Sequence, residues 1–224
     1  MARRLTRKEM QAKTRRLLME AAGKVCSKHG LQQASIDEVA QSAGFTKGAF
    51  YANFRSKEEL FLSMLDERFA ERMRQLDAAT SDSGEPVAQA RQAGLDFARN
   101  MAADPEWNRL FFEFTAYAAR NQEFREELVT RYRSLREHIA DIYRRRAEDL
   151  GGPPPVSSDQ IALMTFAMAN GVALEGLLEP ELVTDDLFAT MLQIFMTGLQ
   201  TLAESSAPVD SAAAADRPRH AKAR

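Results

Sequence analysis

Apolar positions recur at helical spacing along most of the chain, and each run ends on a recognisable stop signal. Leu17, Leu18, Ala21, Ala22 and Val25 form one stripe, closed by His29-Gly30-Leu31, where a glycine followed by an apolar residue ends a helix in the left-handed conformation. A shorter stripe of Ile36, Val39, Ala40 and Ala43 closes on Gly44-Phe45 in the same way. Ser35 and Glu38 fit a capping box ahead of it, and Asp37 and Glu38 put negative charge where the helix dipole favours it. Thr46 can cap a helix over 47–54, and Ser56 with Glu59 predicts a second capping box opening a helix over 57–78. That helix carries Leu60, Phe61, Met64, Leu65, Phe69 and Met73.

After the loop TSDSGEP, Pro86 suits a first helical position, predicting a helix to about residue 103. Asp104-Pro105 opens a helix holding Trp107, Phe111, Phe112, Phe114 and Tyr117. Asn121 caps a long amphipathic helix that must end before Gly151-Gly152-Pro153-Pro154-Pro155. Two further helices are predicted, from Ser158 to about residue 178 and from Thr184-Asp185-Asp186 onward. The last has Phe188, Met191, Leu192, Phe195, Leu199 and Leu202 on one stripe. No period-two strand pattern appears. The expected fold is all-α with about nine helices. It divides into a three-helix head (residues 1–56), a helical body (57–204) and a tail (205–224) too poor in apolar bulk to fold. A head of about 55 residues is marginal alone, so the helix from residue 57 is expected to weld it to the body.

Helix, tight glycine turn, helix is the layout of a helix-turn-helix DNA reader, though any helical hairpin shares it. Residue types separate the two. Thr46, Lys47, Tyr51, Asn53 and Lys57 are donors or cations on about three turns, as phosphate oxygens and base edges require. Gly48 costs roughly 1 kcal/mol inside a helix relative to alanine, which suggests that a side chain there would obstruct a close approach. Phe50 and Phe54 read as core.

The stretch FTKGAFYANFRSKEEL resembles the recognition-helix signature of the tetracycline-repressor (TetR) family of ligand-responsive bacterial transcription regulators. Thr46, Lys47, Gly48, Tyr51, Phe54, Lys57, Glu59 and Leu60 stand where that pattern wants them. The resemblance is specific over about residues 10–60. It implies that Lys47 and Tyr51 bear on the operator, that Lys57 clamps a phosphate and that Ser35 holds the DNA backbone. The chain departs at Ala52 and Asn53, where many relatives carry a histidine or second tyrosine.

Charge divides the chain in the same place. Residues 1–57 hold 12 lysines and arginines, Arg3 and Arg4 among them, against 4 acidic residues. The whole chain has a net charge of −2, so a basic head is joined to an acidic body. Such a head has the footprint of a polyanion binder. Its basic front end has no apolar run and reads as neither signal peptide nor anchor.

The segment IALMTFAMANGVALEGLL is nearly apolar but is interrupted by Asn170 and Glu175 and barely reaches spanning length. A helix apolar on most sides is more simply buried between the body core and a second subunit. Ala169, Gly171, Ala173 and Gly176 would let another helix approach. The resemblance agrees, since the family dimerises through its last two long helices. The expected interface includes Gly171, Gly176, Phe188, Met191, Phe195 and Leu199.

Catalysis finds little support: there is no phosphate-binding glycine loop, nucleophile elbow or recognisable carboxylate pair. His29, His138 and His220 have no metal-ligand spacing. Cys26, the single cysteine, reads as a buried small hydrophobe and fits a reducing cytoplasm. No cofactor or metal is expected. In the body, Phe97, Met101, Trp107, Phe111, Phe114, Tyr117, Met164, Phe166 and Met168 are a set rich in adaptable side chains, suited to a mostly apolar pocket. Glu113, Thr115, Asn170 and Glu175 are candidate polar anchors. Glu113 and Glu175 either point to an apolar or cationic amphipathic ligand, or face solvent or pair with an arginine such as Arg109 or Arg120. By resemblance, the chain is a homodimeric repressor that docks on a palindromic operator and is released by a small apolar or amphipathic effector. A helical ligand- or partner-binding protein that has lost DNA binding is the alternative, and Lys47, Tyr51 and Lys57 argue against it.

Overall fold

The computed structural model describes residues 6–81, 84–147 and 156–206. Arg3, Arg4, the 151–155 glycine–proline run and tail residues 207–224 lie outside them. Among the described residues there are nine α-helices, one 3-10 turn and no strand. The helices are α1 (Arg7–His29), α2 (Ile36–Ser42), α3 (Lys47–Tyr51), α4 (Lys57–Thr80), α5 (Pro86–Ala103), α6 (Pro105–Arg120), α7 (Gln122–Arg145), α8 (Ser158–Leu178) and α9 (Leu187–Ser206). Ser205 and Ser206, assigned to the tail from sequence, extend α9.

Local signals account for most helix ends. Thr6 and Glu9 form a capping box on α1, and Ser35 and Glu38 form the one expected on α2. The α2–α3 turn is a complete Schellman motif. Gly44 has φ 75°, its N–H reaches the Gln41 carbonyl at 3.0 Å, and the Phe45 N–H reaches the Ala40 carbonyl at 2.8 Å. Asp104 and Asn121 cap α6 and α7 through the amides of Trp107 and Phe124 at 3.0 and 2.8 Å.

Two local expectations are corrected. Ser56 accepts from the Glu59 N–H at 3.2 Å, but the Glu59 carboxylate reaches the Arg55 amide at 2.7 Å instead of that of Ser56, so the second box is half formed. Helix α3 stops at Tyr51 rather than residue 54. The Arg15 guanidinium donates to the Asn53 carbonyl and to Ser63 Oγ (3.0 Å), and its centre lies 4.1 Å over the Phe54 ring. A cation from α1 thereby holds the chain in a turn while Phe54 fills the core at 1% exposure.

The head's core continues into the body. Leu18, Ala22, Cys26, Phe50, Phe54, Leu60, Phe61 and Leu65 form one cluster with Leu110, Phe114, Phe124 and Leu128. Helices α6 and α7 therefore close the head from below, and the weld extends beyond α4. Elsewhere in the body, α9 lies hard against α5. A Cβ on Gly94 would fall 2.5 Å from Ala189 Cα, so only glycine permits this approach.

That packing redraws the apolar faces of α8 and α9. Phe188 and Leu199, expected at a subunit interface, are buried at 2% and 4% exposure. Met191 and Phe195 pack partly buried on the same inner clusters. Apart from Leu202, the stripe legible in α9 is the one that docks on the bundle. Gly176 also faces inward, 3.4 Å from Met101 Cε. The outward surface consists instead of Leu163, Met164, Leu174 and Leu178 on α8 with Ile194 and Leu202 on α9, all exposed. Gly171 and Gly198 have nothing within 4 Å of a would-be Cβ. By length and composition, α8 alone among the described residues could cross a membrane. Its Ile161, Ala162, Val172 and Ala173 are nonetheless packed into the bundle.

Candidate nucleic-acid interface and body cavity

On the head, Thr46, Lys47, Gly48 and Tyr51 are exposed together on α3, with Phe50 turned in beneath them. Thr46 Oγ1 accepts from the Ala49 amide at 3.3 Å and fixes the start of the helix. Tyr51 is 51% exposed and meets Phe50 edge-on, at 5.6 Å between ring centres. Gly48 has only Thr46 Oγ1 near a would-be Cβ, at 3.7 Å, so nothing within the chain calls for a glycine there. The Lys47 ammonium pairs with Asp37 at 2.8 Å, both exposed, and this partner raises the lysine's pKa. Such a surface pair opens at little cost.

The other expected contacts are arranged differently. The Lys57 ammonium donates to the carbonyls of Leu31, Gln32 and Ala34 at 3.2, 3.2 and 3.1 Å, which uses all three of its protons. It ties the α1–α2 loop to the start of α4 and holds no free proton for a phosphate. Asn53 is also turned inward. Its Nδ2 donates to the Ala49 carbonyl at 2.8 Å, and its Oδ1 is buried without a partner. Ser35 Oγ is engaged by Glu38 at 2.9 Å as part of the α2 cap.

Two carboxylates bind the head to the body. Glu113 on α6 accepts from the Leu31 amide, and Glu58 at the start of α4 accepts from the Tyr117 hydroxyl at 3.1 Å. Glu113, expected as a ligand anchor, is thus a strut. Tyr117 and fully buried Phe114 belong to the same junction and are not on the wall of the body cavity. Cys26 lies inside it too. Burial, with the Glu113 charge nearby, pushes its thiol up to about 12, so it stays neutral and unreactive as read from the sequence.

The body encloses a cavity of about 330 Å³ between α4, α5, α6, α7, α8 and α9, within the range of small-molecule sites. Phe97, Met101, Trp107, Phe111, Phe166 and Asn170 of the expected set line it, together with Phe69, Leu76, Ile139, Tyr143 and Leu192. Met164 and Glu175 are instead exposed, and Met168 packs among Val172, Phe188 and Leu192. With Glu113 used at the junction and Glu175 outside, the two carboxylates that pointed to a cationic ligand are absent from the wall. Thr115, the remaining anchor, is bonded to Tyr132 at 3.1 Å.

The charged groups of the wall are Arg68, Glu71, Arg72, Asp104 and Arg146, none of them an anchor expected from the sequence. Arg68 pairs with Asp104, Glu71 with Arg74, and Arg146 with Gln89 and the Gly84 carbonyl. Arg72 has no hydrogen bond or ion pair among the described residues. Its guanidinium stacks 5.1 Å from the centre of Phe97. Loss of hydration pulls its pKa down to about 10, partly offset by the charge of Asp96, whose Oδ1 accepts from Arg99 and Gln92. It remains a cation at neutral pH. Among the described residues no cluster of His, Cys, Asp and Glu could hold a metal ion.

Comparison with known proteins matches both halves. The profile described as bacterial regulatory proteins, tetR family, matches residues 18–64, and that of the BetI-type transcriptional repressor C-terminal domain matches residues 86–204. The regulator TtgR of Pseudomonas putida is 27% identical over 208 residues, covering 89% of this chain and 96% of TtgR. A transcriptional regulator of Pseudomonas aeruginosa PAO1 superposes with a TM-score of 0.75 at 21% identity, covering 90% of this chain and 95% of that one. The SmeT–triclosan complex superposes with a TM-score of 0.69 at 18% identity, covering 83% and 90%.

Proposed function

The chain belongs to the TetR family of bacterial transcriptional regulators, and from that premise we propose that it is a homodimeric, cytoplasmic repressor whose operator affinity falls when a small ligand enters the body cavity. It is a regulator and not an enzyme. The observation that carries the DNA-binding reading is the exposed α3 surface of Thr46, Lys47, Gly48 and Tyr51, with a glycine that no intramolecular contact explains. A backbone that must approach a groove or phosphate closely gives that glycine a reason.

A pair of such helices reads half-sites about 34–36 Å apart. The paired outer faces of α8 and α9, apolar and with open glycines, support joining of the two copies there. The cavity reaches the head through two helices. Helix α4 carries Phe69, Arg72 and Leu76 on the cavity wall and Leu60, Phe61 and Leu65 in the head core. Helix α6 carries Trp107 and Phe111 on the wall, with Glu113 bonded to the α1–α2 loop and Tyr117 to the start of α4. A ligand that displaces either helix moves the head with it. A coupling of about 1–3 kcal/mol is enough for a useful switch.

The test is selection of bound duplexes from random DNA, followed by titration of the selected site. Two chains per palindromic site are expected, with salt-dependent affinity. A single chain bound, or no sequence enriched, would overturn the reading.

A further inference from the structure

We propose that the cavity takes an apolar carboxylate, with the head group held by the Arg72 guanidinium and the tail laid along the aromatic and aliphatic wall. This deepens the cavity reading given above and rests on it. Most polar groups of the wall are already paired within the protein. Glu71, Asp104, Arg68 and Arg146 all have partners on the protein. Asn108 donates to the Met101 carbonyl at 3.1 Å, Asn100 to Gln75 at 2.8 Å, and Tyr143 and Thr165 share a bond of 3.0 Å. Arg72 is the cation on that wall with no partner among the described residues, and Asn170 likewise has none. A guanidinium held over the Phe97 face has lost much of its water, and the nearby Asp96 charge, which makes no hydrogen bond to it, offsets only part of that loss. Its planar fork matches a carboxylate in two parallel bonds, and Asn170 adds a neutral donor to the same cavity.

The chemistry excludes the cationic ligand suggested by the sequence. A positive head group would meet the Arg72 charge, while the carboxylates on the wall, Glu71 and Asp104, are already paired with arginines. An uncharged alcohol could fill the apolar volume but would leave the guanidinium unpaired.

The experiment compares decanoate, decanol and decyltrimethylammonium on the full chain, read by quenching of Trp107 and by calorimetry. Trp107 is the single tryptophan and lines the cavity. Decanoate is expected to bind about 10- to 100-fold more tightly than decanol, the range for a hydrogen-bonded charge pair, and the ammonium compound more weakly than either. In R72M the decanoate-to-decanol preference should collapse to about 1. R72K, which keeps the charge but not the fork, should hold an intermediate preference and secures the test should R72M fold poorly. A native protein that prefers decanol or the ammonium compound, a carboxylate preference that survives R72M, or no binding by all three would overturn the proposal. Operator affinity is followed in parallel. Decanoate that binds through Arg72 yet leaves operator affinity unchanged would overturn the switch and leave the anchor standing.

Discussion

The head and the body leave their spare polar side chains in different places. In the head, short-range pairs cap the helices (Thr6 with Glu9, Ser35 with Glu38, Thr46 with the Ala49 amide), while Arg15 and Lys57 tie distant segments together. What remains outside is a small polar face. In the body, polar groups around the cavity pair across long stretches of sequence, such as Arg68 with Asp104 and Arg146 with Gln89. What remains there faces inward. The difference teaches where unsatisfied groups mark a site. On the head they are exposed and cheap to leave unpaired, so only their clustering is informative. In the cavity an unpaired guanidinium is costly, so a single one carries weight.

The contrast can be broken hardest at the outer face of the body. Ile194→Arg or Leu178→Arg places a charge on the outer apolar surface, at positions 68% and 67% exposed. The chain should fold normally but become monomeric. Loss of the linked second head should weaken operator binding on the order of 100-fold or more. Leu199→Arg, on the inner face of α9 at 4% exposure, should instead unfold the body. Sedimentation and circular dichroism of the pair separate the two outcomes. Dimers from Ile194→Arg would move the interface elsewhere.

Within the head, two lysines ten residues apart sharpen the contrast further. Lys57→Met removes three bonds to carbonyls and should lower stability by about 1–3 kcal/mol in urea unfolding. Its effect on the salt dependence of operator binding should be small. Lys47→Ala should leave stability within about 0.5 kcal/mol. It should lower the slope of log affinity against log salt by about 0.9, the value for one phosphate contact. Reversed results, with Lys57 governing the salt slope, would mean that its carbonyl clamp opens on DNA.

The sequence disclosed the helices, most of their caps and the polar face of α3, because those signals act within four or five residues. It also identified Phe97, Met101, Trp107, Phe111 and Asn170 on the cavity. It did not disclose which side of α9 faces inward. Apolar residues stand on both sides of that helix, and only the close approach at Gly94 and Ala189 selects one. Glu113 looked like a ligand anchor because its flanks are aromatic, yet its partner, the Leu31 amide, is 82 positions away. Arg15 and Arg72 were unreadable for the same reason. A cation on a helix looks solvated until the tertiary fold brings an aromatic ring beneath it. Each of these two meets one, Phe54 at 4.1 Å and Phe97 at 5.1 Å.

The smallest expected effect is also the one in which fold and function pull in opposite directions. Gly48 is helical and exposed, and only Gly30 and Gly44 among the described residues have positive φ. Alanine therefore fits its backbone without strain, and the nearest atom to the new Cβ is Thr46 Oγ1 at an ordinary 3.7 Å. Replacing a helical glycine in this way should raise stability by roughly 0.4–1 kcal/mol, largely by restricting the unfolded chain. If the glycine serves a close approach to DNA, the same methyl should weaken operator binding, and Gly48→Val should weaken it more. Thermal melting and operator titration on both variants measure the two effects separately. A Gly48→Ala variant that is more stable and binds the operator with unchanged affinity would show that the glycine serves neither fold nor DNA approach. The close-approach argument for α3 would then fall, leaving Lys47 and Tyr51 to carry the contact.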